Sequence, residues 1–299
     1  MQKDPKNKTA SGKVLQEPVL YVCATPIGNL SDASFRLLET LKSSDLIIAE
    51  DTRSVRNIFS RYDIKKPAGS VISYQDYAGP AKTQNIIEKI KNTSISCLVS
   101  ESGMPAIQDP GYKIIRSCIE NGLKVSVVPG PNAAISALVI SGLPTDSFLF
   151  VGFLPKTAAK RKEKLLELAY YSYTMIFYES SLRIAGLLGE MADVFGNRQA
   201  CLAREITKIY EEVIRASLEE LSAIITKGKT LKGEIVLVVE GYKKGPLKDF
   251  NSNDIIKEFA RLSAANISRK DIFKIIQSKY DIDRQTLYNI TTGKSRPYK

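Results

Sequence analysis

The chain contains no histidine and no tryptophan. Without histidine it lacks the commonest general base and every catalytic device built on a Ser-His-Asp or Cys-His pair. Acid–base work therefore falls to carboxylates, lysine, tyrosine or water. Cysteine is scarce as well. Cys23, Cys97, Cys118 and Cys201 are scattered and form no CxxC pair. This spacing excludes a zinc site and reads as buried small hydrophobes in a reducing, cytoplasmic setting; no metal is expected. Long apolar runs are also missing. The longest, 133–143, contains Ser136, Ser141 and Gly142 and falls far short of the ~18 residues of a membrane span. The amino-terminal arm is polar and lysine-rich, without the apolar segment of a secretory signal. Neither a Walker loop nor a GxGxxG turn occurs, so a nucleoside triphosphate or a nicotinamide is not the expected ligand.

Charge is plentiful and uneven. Of the net +11, residues 1–13 hold +3, residues 243–299 hold +7, and the intervening 14–242 only +1. A near-neutral middle with basic ends suggests a polyanion touched by the ends, and a solvated basic tail is the plainer alternative. A second basic cluster, Lys156, Lys160, Arg161, Lys162 and Lys164 against Glu163, follows the Gly152-Phe153-Leu154-Pro155 turn. It stands either for phosphate contacts at the start of a helix or for an exposed helix face. Tyr170, Tyr171 and Tyr173 offer stacking surfaces for unpaired bases, or mark a turn that enters a core strand.

Three apolar, strand-like runs end in Gly/Pro-rich turns that lead into helices. They are Tyr21-Val22-Cys23-Ala24-Thr25-Pro26-Ile27-Gly28-Asn29-Leu30, the stretch from Val99 to Tyr112, and Val127-Val128-Pro129-Gly130-Pro131. Such turns gather ligands at the carboxyl edge of a parallel sheet. Gly28, Gly103 and Gly130 leave room for a ligand to approach the backbone.

From Val19 onward strands and helices alternate. Strands are predicted over 19–23, 46–49, 71–74, 95–100 and 125–128. Helices are predicted over 34–42, 54–62, 81–91, 112–121 and 132–140, which argues for a mostly parallel sheet covered on both faces. Gly142-Leu143-Pro144 breaks the pattern. A second unit follows, with strands over 148–153, 174–178, 199–203, 212–216 and 234–239 and helices over 160–170, 182–195 and 218–227. The neighbouring runs 199–203 and 212–216 have no helix between them, so a hairpin in a mixed sheet is expected there. Short amphipathic helices are predicted over 254–263, 269–280 and 283–290, with Ser268 and Asp281 or Asp283 as N-caps. The layout expected is a disordered arm 1–17, α/β domains 18–143 and 144–242, and a linker with a basic helical module 243–299.

Seven motifs carry a resemblance. In order they are Thr25-Pro26-Ile27-Gly28-Asn29-Leu30, Ala49-Glu50-Asp51-Thr52-Arg53, the 99–112 loop, Pro129-Gly130-Pro131, Gly152-Phe153-Leu154-Pro155, Phe177-Tyr178-Glu179-Ser180 and Ala203-Arg204-Glu205-Ile206-Thr207-Lys208. Together they resemble the tetrapyrrole methylase superfamily, and within it the branch of 16S rRNA (cytidine) 2′-O-ribose methyltransferases I, over about residues 19–242. The resemblance implies two α/β domains with S-adenosyl-L-methionine folded into the cleft between them, and a homodimer. It also implies methyl transfer to a cytidine ribose in the decoding region of 16S rRNA in the small ribosomal subunit, with no DNA or membrane partner. The cofactor is then expected against Pro26, Gly28, Gly103 and Met104, against Pro129, Gly130, Pro131 and Ala133, and against Tyr178, Ala203 and Gly233.

A ribose hydroxyl is a poor nucleophile near neutral pH, so a base or a nearby cation should assist. The expected base is a carboxylate of the 99–112 loop, Glu101 first and Asp109 second. Arg53 is the candidate for phosphate or alkoxide stabilisation. Asp109 is equally placed to cap the helix near Tyr112, Glu50-Asp51 to cap the helix after them, and Arg204 and Glu205 to pair with each other. Lys156, Lys160, Arg161 and Lys162, with Arg269 and Lys270 of the tail, are the expected RNA contacts. The chain departs from the family pattern at Glu101 (usually Asp), at Met104 (usually a hydroxyl residue), and at Ser73-Tyr74-Gln75-Asp76-Tyr77, where relatives often carry histidines. These departures leave two alternatives standing: a weakened relative that serves as an RNA-binding module, and a small-molecule tetrapyrrole methylase.

Overall fold

The computed structural model describes residues 17–77, 79–227, 232–243, 252–264, 267–280 and 282–293. The arm 1–16, most of the expected linker and Asp281 lie outside them. The chain forms two compact units, one ending at Ser136 and including Ile206–Ile209, the other comprising Ala137–Glu205 and the chain from Tyr210.

In the first unit β1 (Val19–Cys23), α1 (Phe35–Ser43), β2 (Leu46–Ala49), α2 (Thr52–Arg61), β3 (Val71–Ser73), α3 (Pro80–Lys91), β4 (Ile95–Val99), α4 (Tyr112–Glu120) and β5 (Lys124–Val128) alternate. A short 3-10 turn, Leu30–Asp32, is an element that the apolar pattern did not mark. The strands pair in parallel in the order β3-β2-β4-β1-β5. All four residues of β2 are buried, as a central strand covered on both faces must be. Alternation along the strands separates two cores. Leu20, Ile48 and Leu98 meet Ile86, Ile87 and Ile90 of α3 and Ile114 of α4. Cys23, Ile47 and Val99 meet Leu37 and Leu41 of α1 and Val55 and Ile58 of α2.

α5 (Ala133–Ser141) leads into the second unit. There β6 (Phe148–Phe153), α6 (Ala158–Leu168), β7 (Thr174–Ser180), α7 (Ile184–Phe195), β8 (Gln199–Arg204), β9 (Glu212–Ser217), α8 (Leu218–Lys227) and β10 (Glu234–Val239) follow. The sheet runs β6-β7-β10-β8-β9. Only its β6–β7 pair is parallel, and β8 and β9 form the expected antiparallel hairpin. α6 starts and stops two residues earlier than its pattern predicted, so Tyr170 lies beyond it. Tyr170 packs edge-on against Tyr242 at 5.2 Å, and burial raises its hydroxyl pKa. It is partly buried and packs against the core of the second unit.

The carboxy-terminal helices α9 (Ser252–Ala264), α10 (Arg269–Tyr280) and α11 (Arg284–Thr291) share this unit's core. Ile255, Leu262, Ile272, Ile276 and Leu287 join Met175, Phe177, Leu202 and Leu237 of the sheet and Leu187, Leu188 and Met191 of α7 in one cluster. Arg261 donates to the carbonyls of Ala192 and Asp193 at 3.4 and 2.8 Å, near the end of α7. Ser268 accepts from the Asp271 amide, and Asp283 caps α11 through Gln285 and Thr286, as their side chains favour.

Candidate functional site

The three glycine-bearing turns leave the carboxyl ends of β1, β4 and β5, and these strands are neighbours. They are also stitched together. The amides of Thr25 and Gly103 donate to each other's carbonyls at 2.9 and 3.1 Å, and the Ala24 amide donates to Val128 at 3.1 Å. Thr25, Pro26 and Ile27 are buried, and Gly28 ends the buried stretch. At Gly130 an added Cβ would lie 3.1 Å from the Ala24 Cβ, so its smallness serves turn-to-turn packing. Gly103 has φ +75, and a Cβ there would stand 3.3 Å from Ile27 Cγ2 and 3.8 Å from the Pro131 carbonyl. Pro26, Gly28, Gly103, Pro129, Gly130 and Pro131 therefore sit on one sheet edge, with Ala133 opening α5 just beyond. Met104 follows Gly103, and its partly buried side chain packs against the core of the first unit.

The 100–111 loop is conformationally demanding. Ala106 and Gln108 adopt φ +69 and +66, where side chains are rarely found. The Glu101 amide donates to the Glu50 carboxylate at 3.1 Å, which anchors the loop's start to the end of β2. The Glu101 side chain is exposed. Gly111, not Asp109, is the N-cap residue of α4. Its amide donates to Asp76 Oδ1 at 3.2 Å, and the Lys113 ammonium donates to the Asp76 carbonyl at 2.6 Å. Asp76, within the 73–77 stretch that departs from the family pattern, thus supports this loop.

Asp51 caps α2 by accepting from the Arg53 amide at 2.8 Å. It also takes the Arg53 guanidinium at 2.9 Å and 2.6 Å. Those bonds hold the Asp51 carboxyl below its ordinary range. Arg53 is consequently engaged at home, although its side chain is 85% exposed.

In the second unit the register places Tyr178 of β7 and Ala203 of β8 on either side of Val236 of β10, in one row. Gly233, φ +100, precedes β10, and an added Cβ would meet the Glu205 carboxylate at 2.5 Å. Glu205 accepts from the Glu234 amide at 2.9 Å. Arg204 does not pair with Glu205. It pairs with Glu212 across the hairpin at 3.0 Å and donates to the Lys232 carbonyl. Glu179 is buried and takes Arg183 at 2.6 Å and the Ser180 amide at 2.7 Å.

Among the expected RNA contacts, Lys156 and Lys160 are exposed. Arg161 is not available in the same way. It is 15% exposed and bidentate to Glu190 of α7, at 2.7 and 2.6 Å, and it also donates to the Lys156 carbonyl. It joins α6 to α7. Lys162 lines a cavity of about 280 Å³ with Glu190 and Asp193. Lys270 is exposed, and Arg269 lies 5.6–6.0 Å from the rings of Phe259, Phe273 and Tyr288. Among the described residues no cluster of three potential metal ligands occurs and no helix is long and apolar enough to cross a membrane.

Two α/β sheets, the first with three knitted turns at its carboxyl edge, define a class. Residues 19–222 match the family model of Tetrapyrrole (Corrin/Porphyrin) Methylases, and the chain belongs to that family. It is 38% identical to Ribosomal RNA small subunit methyltransferase I of Halalkalibacterium halodurans, over 91% of this chain and 93% of the relative. It is 40% identical to the protein of that name from Haemophilus influenzae, over 90% and 95%, and 37% identical to that of Rickettsia prowazekii, over 92% and 96%. Solved structures of similar fold include diphthine synthase, with TM-score 0.56 at 16% identity over 82% of this chain and 94% of that one. Uroporphyrin-III-C-methyltransferase from Thermus thermophilus follows, with TM-score 0.53 at 18% identity over 75% and 94%.

Proposed function

We propose that this chain transfers a methyl group from S-adenosyl-L-methionine to the ribose 2′-hydroxyl of a cytidine in the decoding region of 16S rRNA. The acceptor is the small ribosomal subunit. The observation that carries the reading is the likeness to relatives named for small-subunit rRNA methylation over at least nine-tenths of each chain, with the three turns knitted on adjacent strands.

The residues at the sheet edge fit the cofactor. Backbone groups, small residues and the apolar Ile27 suit an uncharged nucleoside and a zwitterionic amino-acid tail, which need no phosphate-binding loop. When bound, the cofactor supplies an electrophilic methyl on sulfonium, so the protein's task is mainly alignment in a dry site. The turns hold the backbone for that alignment, and the Glu50–Glu101 bond sets the loop that carries the two candidate bases, Glu101 and then Asp109. Lys156, Lys160, Lys162 and Lys270 attract the phosphates of the acceptor. The domain limits 18–143, 144–242 and 243–299, a homodimer and a cytoplasmic setting complete the proposal.

The test is transfer of labelled methyl to small subunits lacking the modification, with nuclease mapping of the label. Label recovered as a 2′-O-methylated cytidine supports the reading. Intact cofactor binding with no transfer replaces it with an RNA-binding module.

A further inference from the structure

The last residue of the Ala203–Lys208 motif has an unusual position. Ile206–Ile209 follow β8, a strand of the second unit, yet they belong to the first unit. The backbone that brings them there is strained. Glu205 and Thr207 adopt φ +51 and +67, and for a β-branched residue a positive φ is a genuine outlier. Between them Ile206 is buried. Strain of this kind persists where the surroundings over-determine a conformation, often at working sites.

The strained segment lays the Lys208 stem across Gly28. A Cβ on Gly28 would overlap Lys208 Cγ outright, and would stand 3.0 and 3.2 Å from its Cε and Cδ. Gly28 is therefore a glycine because lysine methylenes occupy the place of its side chain. Its φ is not in the left-handed region, so conformation does not demand it. The methylenes run over the first of the three turns, on the same sheet edge as Gly103 and Gly130.

We infer that Lys208 is a further catalytic residue of the methyl-transfer site, its ammonium stabilising the acceptor oxygen as that oxygen loses its proton. This inference rests on the reading above. In the step the acceptor O–H bond breaks, its proton passing to a carboxylate of the 100–111 loop or to water. The oxygen's electron pair forms the bond to the methyl carbon, and the carbon–sulfur pair stays on sulfur, which leaves as a neutral thioether. Lys208 keeps its own protons. It acts as a fixed cation where negative charge develops, the arrangement that stabilises such transition states most. In a chain without histidine, a cation at this place supplies help that an imidazole gives elsewhere.

The experiment compares the wild-type chain with Lys208→Met, Lys208→Arg and Gly28→Ala. Single-turnover transfer to saturating small subunits, S-adenosyl-L-methionine affinity by calorimetry, and subunit binding against salt are measured for each. Lys208→Met keeps the methylenes and removes the charge. It should slow transfer by about 100-fold or more, with cofactor affinity within about threefold of wild type. Lys208→Arg should recover part of the rate. Gly28→Ala should displace the stem, match the loss in Lys208→Met, and add little to it in the double variant.

Wild-type transfer with Lys208→Met at parental rate overturns the inference alone. So does a Lys208→Met variant whose saturated rate is unchanged while its subunit affinity and salt slope fall, since that describes a phosphate contact. No transfer by the wild-type chain removes the rRNA reading itself, and this role with it.

Discussion

Thr25 and Gly103 are hydrogen-bonded to each other in both directions, amide to carbonyl, at 2.9 and 3.1 Å. That pair makes the turns after β1 and β4 a single object. Because β5 lies on the other side of β1, with the Ala24 amide on Val128, the turn before α5 is tied to the same object.

Gly103→Ala should therefore disturb stability and ligand binding together. A side chain at φ +75 costs about 1–2 kcal/mol from the left-handed backbone alone, and its Cβ would press on Ile27 Cγ2 at 3.3 Å. Chemical denaturation should show that loss, and calorimetry a fall of about tenfold or more in cofactor affinity. Unchanged affinity with the stability loss present would place the cofactor elsewhere.

The basic cluster after β6 should divide by role. Arg161→Ala is expected to destabilise the chain by about 1–2 kcal/mol, since it breaks a largely buried guanidinium from a Glu190 that is itself partly exposed. It should leave the salt dependence of subunit binding as it was. Lys156→Ala and Lys160→Ala should do the reverse, with stability kept and the log–log salt slope lowered by about 0.7–0.9 each.

Gly233→Ala should cost about 1–3 kcal/mol, because φ +100 resists a side chain and the new methyl meets the Glu205 carboxylate. Glu205→Gly in the same background removes the collision, so part of the loss should return. Denaturant midpoints with unchanged slopes would confirm it. Equal losses in the single and double variants would show that backbone conformation alone sets the cost.

Acid should weaken α2 and α11 at their starts. Asp51 is held below its ordinary 3.8 chiefly by the Arg53 side chain, and Asp283 below 3.8 chiefly by Thr286. A depressed folded-state pKa gives stability that is complete above the unfolded value and is lost as pH falls through the folded one. Melting temperature should thus hold down to about pH 4 on account of these groups and drop below it. Asp51→Asn, which can cap without titrating, should flatten its share of that drop. A wild-type pH slope in Asp51→Asn counts against the assignment.

Truncating the tail at 244, a tempting test of its charge, would strip Ile255, Leu262, Ile272, Ile276 and Leu287 from the second unit's core. Buried side chains of this size contribute about 1.5–3 kcal/mol each, so the truncation should lower the denaturation midpoint before RNA is considered. Lys270→Glu tests the charge instead. It should weaken subunit binding at low salt and leave the midpoint in place.

The alternation of strands and helices was legible because β1 and β4 are short apolar runs closed by glycine and proline, and because Asp51, Ser268 and Asp283 cap helices within reach of nearby amides. Motif order carried the family. These signals are local, or are read directly along the chain. Tertiary structure alone decided which turns became neighbours, since the order β3-β2-β4-β1-β5 is a matter of long-range pairing that no periodicity encodes. It decided that Arg161, one of five basic residues within 156–164, pairs with Glu190 on the next helix, and that the tail helices complete the second unit's core. It also decided why Gly28 is a glycine. The residue that excludes its side chain, Lys208, is remote in sequence, and only the packed chain brings the two within contact distance.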